Sequence, residues 1–170
     1  MKALLITRED IVKKTIMNGN VDTDQFIQHI EIAQDVHIQN YLGTDLLVKI
    51  QSLISAGTIG DAGNEDYNTL LVKYVKPMLI HWGMYEYLPW AAYTVANKGV
   101  YKHTSENAET AQKNEIDYLQ GKQKKTAENY TQRFLDYMDF NAGEKFPEYY
   151  SNSNEDVDPS QSTNFSGWVI

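Results

Sequence analysis

The sequence contains no cysteine, which excludes disulfides, thiolate metal sites and a cysteine nucleophile. It also lacks any long apolar run. The opening apolar stretch is Ala3 to Ile6, too short for a secretory signal, and nothing approaches the roughly 20 apolar residues of a membrane span. A soluble chain with no membrane role is the expectation. Basic residues are scarce, 15 Lys and Arg against 23 Asp and Glu, for a net charge of −8. Their one cluster is Lys122, Lys124 and Lys125. Nucleic-acid readers carry a basic stripe that releases phosphate counterions, so the balance argues against sequence-specific nucleic-acid binding. It remains compatible with a surface that DNA slides past.

What the sequence has in abundance is aromatic and aliphatic side chains. Apolar residues make up 42% of 170, with 12 tyrosines and 3 tryptophans, enough to offset the entropy of folding one compact domain. Their spacing is helical. Thr7 and Asp10 form a T-x-x-D cap for a short helix over 7–16, ended by Asn18-Gly19-Asn20. A second helix over 23–41 carries the stripe Phe26, Ile30, Ala33, His37 and Tyr41. Ile32 and Ile38 fall off that stripe and point to a neighbouring subunit. Gly43 supplies a left-handed stop and Thr44 a cap for a third helix over 44–56.

A single long helix is predicted over 65–97, with kinks at Pro77 and Pro89 and a possible break at Pro89. Its apolar surface, including Trp82, Tyr85, Trp90 and Tyr93, is too broad for one face and implies burial in the core or between subunits. Another long helix is predicted over 106–139, capped by Ser105 or Asn107 and stopped by Asn141-Ala142-Gly143. The polar stretch Gln120 to Asn129, with Gly121 inside it, reads as a solvated surface or a local break. Residues 151–163, SNSNEDVDPSQST, read as a flexible acidic linker. Phe165, Trp168, Val169 and Ile170 follow as an apolar plug, docking on a partner or folding back on the chain's own helices. The fold expectation is therefore all-α: four to five bundled helices, two of them long, in a domain of residues 1–150, with an extended tail over 151–170.

Chemistry is thinly represented. The histidines at 29, 37, 81 and 103 include no i, i+3 or i, i+4 pair for zinc. His37 lies in an apolar stripe, where a hydrogen-bonded core histidine is the better reading. His81 stands near Glu86 without an evident pocket. Gly57, Gly60 and Gly63 lack the lysine and the preceding strand of a P-loop. The acids from Asp61 to Asp66 lack the alternation of a calcium loop. No catalytic residue, metal or cofactor is expected.

Several segments in order resemble the head–tail connector (adaptor) family of tailed bacteriophages. Leu5-Ile6-Thr7-Arg8-Glu9-Asp10-Ile11 is similar to the family's opening element. Asp24, Ile27, Ile30, Ala33, Ile38 and Tyr41-Leu42-Gly43 resemble its second helix and glycine turn. Tyr74-Val75-Lys76-Pro77-Met78, with Trp82 and Tyr85-Glu86-Tyr87, resembles its long aromatic element. The form is nearest to connector proteins of crAss-like phages, over about residues 4–97.

The resemblance implies a non-enzymatic virion protein at the head–tail junction, assembled in the host cytoplasm. It would form a ring, a dodecamer in the family, between the portal and further connector or tail proteins, with DNA passing through the lumen. Candidate interface residues are Ile32, Ile38, Trp82, Tyr85, Trp90, Tyr93, Phe165, Trp168, Val169 and Ile170. The alternative is an all-helical adaptor or regulatory module that binds a partner helix in an aromatic groove.

Overall fold

A computed structural model of the chain describes residues 3–15, 23–91, 93–96, 99–102, 112–151 and 153–162. Among these residues the fold is all-α apart from one small hairpin. Helix α1 spans Arg8–Lys14, and α2 covers 23–42 with a π turn at Gln34–Ile38. Helix α3 is Thr44–Ser55. Helix α4 covers 65–87 with a π turn at Leu71–Val75, and a 3-10 turn, Leu88–Trp90, continues it. Strands β1 (Tyr93–Ala96) and β2 (Gly99–Lys102) pair antiparallel, and α5 is Lys113–Lys145.

The start of α1 follows the sequence directly. Asp10 N donates to Thr7 Oγ1, and the Asp10 carboxylate accepts from Thr7 N at 3.0 Å, a reciprocal capping box. The predicted 65–97 helix, in contrast, stops early. Leu88–Trp90 tightens to a 3-10 turn around Pro89 and the chain then enters β1, because Pro89 cannot donate the next helical hydrogen bond. At Pro77 the helix widens rather than breaks. The π turn Leu71–Val75 lies just ahead of the proline, where its ring would otherwise crowd the preceding turn. The predicted Asn141-Ala142-Gly143 stop is overridden. Ala142 is fully buried, Asn141 Nδ2 donates to Tyr137 O, and α5 runs on to Lys145. Phe146, taken out of the helical region at φ −130° and ψ 73° before Pro147, ends it. Gly121 leaves α5 unbroken. The proposed caps Ser105 and Asn107 and the turn 18–20 lie outside the described residues; Gln112 caps α5, with Glu115 closing the box.

Helix α4 is the spine. It packs on α2 along one side and on α5 along another. Leu70, Leu71, Val75, Met78, Leu79, Ile80, Trp82 and Met84 are all buried, which accounts for its unusually broad apolar surface. Against α2 the helices meet at Gly83, where an added Cβ would run into Ile30 Cδ1. Between α4 and α5, Tyr74 stacks on Tyr137 with ring centroids 4.2 Å apart. Lys76 Nζ reaches Asp10 at 2.8 Å and ties α1 to the same spine. Among the described residues, no helix is long and apolar enough to cross a membrane.

Candidate functional site

The sequence-predicted interface residues divide sharply. Ile32, Trp90 and Tyr93 are exposed, and Tyr85 is half-buried against the core. Ile38 and Trp82 are corrected out of the set, since both are consumed by the chain's own interior. For Ile38 the cause is the π turn. Its extra residue per turn offsets the drift of the flanking α turns and keeps residues four apart nearly in line, so Ala33-Gln34, His37-Ile38 and Tyr41-Leu42 all turn inward as adjacent pairs. Gln34, buried with them, accepts from Leu5 N at 2.9 Å and donates to Ala3 O at 3.2 Å, pinning the segment before α1. Phe165, Trp168, Val169 and Ile170 lie outside the described residues.

Two histidines occupy defined but packed positions. His37 stacks flat on Trp82, with ring centroids 3.9 Å apart, and its Nε2 donates to the Glu86 carboxylate at 2.7 Å. Burial pushes the His37 pKa below its ordinary value, while the hydrogen bond and charge of Glu86 pull the other way. The second nitrogen, Nδ1, is buried without a hydrogen-bond partner, so it presents no base to a substrate arriving from solvent. His81 Nδ1 donates to Gln123 Oε1 at 2.8 Å and its ring lies parallel to Tyr130. A surface depression of about 300 Å³ there is lined by Lys14, Pro77, Ile80, His81 and Tyr130. Among the described residues that line it, the only ionisable nitrogen groups are those of Lys14 and His81, and none is a carboxylate that could orient the imidazole. Among the described residues, no group of three or more His, Cys, Asp or Glu is placed to hold a metal ion.

Among the described residues, the most elaborate polar construction is elsewhere, on Ser151 and residues 153–162. Composition reads this stretch as a tether; the structure lays it as a strap across the α2–α3 turn. Asp45, in the first turn of α3, accepts from Ser151 Oγ at 2.7 Å, Ser153 N at 2.9 Å and Ser153 Oγ at 2.7 Å, and also from Asn154 Nδ2. Asp156 accepts from Thr44 Oγ1 at 2.9 Å and Gln39 Nε2 at 3.2 Å. Backbone bonds then take over: Thr44 N donates to Val157 O at 2.9 Å, and Ser160 N to Asn40 O at 2.8 Å. No spacing signal could have announced this, because the partners lie more than a hundred residues apart.

Those donors hold the Asp45 carboxylate down at about 2, Ser153 contributing most and Ser151 next. A carboxyl depressed on folding supports the fold above its unfolded value near 3.8, and that support disappears as pH falls through about 2. Acidification across this window is expected to loosen the strap. Protection of the amides over 151–162, taken relative to their intrinsic exchange rates at each pH, is expected to fall from pH 4 to pH 2 more in the native chain than in Asp45→Asn. Equal pH dependence in the two proteins would refute the assignment.

The chain belongs to the DUF6712 family, a family of unknown function. The family's sequence profile matches residues 38–159, from the last residue of the α2 π turn to the proline of the strap. The family region thus contains Asp45 and all the strap residues that bind it. No curated protein and no solved structure matches the chain.

Proposed function

We propose that this DUF6712 chain is a non-catalytic structural subunit of a phage head–tail connector ring, lying between the portal and further connector or tail proteins and continuing the DNA channel. The observation that carries the reading is the placement of large apolar side chains at both ends of α5. Tyr118 and Leu119 are exposed near its start. Gln120 Nε2 donates there to Tyr85 O at 3.2 Å, and the Leu88–Trp90 turn packs on the helix, with Trp90 58% exposed. Near the other end Phe140 is 90% exposed. At about 1.5 Å per residue, Leu119 and Phe140 stand roughly 32 Å apart along the axis.

A closed ring joins unlike faces of successive copies, so each subunit needs two separate sticky surfaces rather than one. Aromatic side chains are the usual anchors of such contacts. The net charge of −8 suits a lumen through which DNA moves without being held. The resemblance of residues 4–97 to connector proteins points the same way.

Mixing the purified chain with its cognate portal and imaging the particles is expected to give rings coaxial with the portal. Phe140→Glu changes a side chain that the fold does not use, and should weaken subunit association by about 2 kcal/mol while leaving thermal stability nearly unchanged. Failure to form rings with the portal would overturn the proposal. A discrete one-to-one complex without rotational symmetry would instead favour the adaptor module.

A further inference from the structure

The π turn of α2 encloses a histidine that is hydrogen-bonded on one side of its ring only. His37 is buried flat on Trp82, and Tyr85 meets it edge-on with centroids 6.2 Å apart. Nε2 has its partner in Glu86 at 2.7 Å. Nδ1 is enclosed and has none. Buried polar atoms are hydrogen-bonded as a rule, so an exception inside a packed seam asks for a reason. Chemical state supplies one. A neutral imidazole with its proton on Nε2 leaves Nδ1 as a bare lone pair and carries no charge into the interior.

A second proton can go only to Nδ1. It puts a charge and an unmet N–H donor into that enclosure. The Nε2–Glu86 bond already exists in the neutral state, so the cation gains only its added strength. The surrounding charges divide. Glu86 on α4 favours the cation, as does the face of Trp82, while Lys124 on α5 opposes it. Lys124 in turn lies 3.9 Å from Glu128. Tyr85 also stands against the ring, and His29, two turns back on α2, feels the same Glu86 charge. Burial outweighs the carboxylate, and the pKa of His37 falls below its ordinary 6.5.

We infer that His37 is a proton-sensitive fastener between α2 and α4: neutral, it holds the π turn on Trp82, and protonation at Nδ1 releases that turn. A π turn suits the role, since such turns interrupt α-helical register over a few residues and recur at functional sites. The sign follows from linkage. A histidine that is harder to protonate when folded supports the seam fully above 6.5. That support is lost as pH falls below 6.5, where the opened seam takes up the proton first.

Amide protection over residues 34–42, taken relative to intrinsic exchange rates at each pH, tests this in the full-length chain. From pH 7.5 to pH 5 it is expected to fall several-fold more in the native chain than in His37→Gln, whose side-chain amide keeps a donor but takes no proton. Glu86→Gln separates a fastener from a plain ion pair. It retains an acceptor for the Nε2 proton yet removes the charge that favours the cation, so the fall should be at least as steep. A shallower fall in Glu86→Gln would mean that folded His37 is charged and held as a salt bridge, and would overturn the proposal. Equal pH dependence in the native chain and His37→Gln would overturn it as well.

Discussion

Trp82→Ala is expected to lower the unfolding free energy by about 3–5 kcal/mol, the range for a large aromatic removed from a packed core. Trp82 is 1% exposed. One face of its indole stacks on His37, an edge meets Tyr85 with centroids 5.6 Å apart, and Nε1 donates to Thr131 Oγ1 at 3.1 Å. Thr131 keeps a partner after the substitution, since its hydroxyl donates to Ala127 O at 2.8 Å. The loss is therefore mostly volume and contact rather than an orphaned hydroxyl. Trp82→Phe retains most of that volume and should cost far less.

Urea unfolding followed by circular dichroism would measure both variants, with an unchanged slope certifying that only stability moved. The result also separates two roles for the residue. A side chain at a subunit contact would leave the isolated fold intact and damage assembly. A loss below about 1 kcal/mol in Trp82→Ala would return Trp82 to the interface and contradict its burial.

That contrast shows what kind of information the sequence carried. Spacing marked Trp82 as important but could not say what it packs against, because a broad apolar helix reads the same whether its second face meets α5 or another copy. Local chemistry was legible. The Thr7–Asp10 box, the Gly43 stop and the helical periods of α2, α3 and α4 rest on groups within a turn of each other. Hydrogen-bond register was not. The two π turns leave no mark in composition, and one of them turned Ile38 from an apparent surface residue into core. Pro89 signals a kink or a break but not which, and the helix expected to reach 97 ends there.

The strap was illegible for a different reason. Serine, asparagine and aspartate in a run are what a disordered linker looks like, and the serines and asparagine among them are equally the donors that satisfy a buried carboxylate when one lies nearby. Only the fold brings Asp45 to Ser151, Ser153 and Asn154. The same limit holds for the outward-facing Phe140, whose exposure depends on the roll of α5 rather than on its neighbours in sequence.

Gly43 is where the legible and the illegible meet, and its substitution should have the second-largest effect. Its φ of +74° with ψ of 161° is a conformation that side chains resist, and an alanine there costs about 1–3 kcal/mol on backbone grounds alone. A Cβ would also stand 2.7 Å from Pro159 Cγ and 2.8 Å from Cδ. That ring cannot swing aside cheaply, since Val157 and Ser160 are bonded to Thr44 and Asn40 on either side of it. Overpacking adds about another 1–3 kcal/mol unless the strap lifts.

Gly57→Ala provides the control. Gly57 has φ +71° but nothing within 4 Å of its missing Cβ, so it reports the conformational cost without the collision. Gly43→Ala should exceed it in denaturant titration, and proteolysis within 151–162 should accelerate in Gly43→Ala alone. Combining Gly43→Ala with Asp45→Ala should then cost less than the sum of the two, because a strap already lifted has no contacts at Asp45 left to lose. Strict additivity would mean that the two residues hold different things, and the strap would cease to be one structural unit.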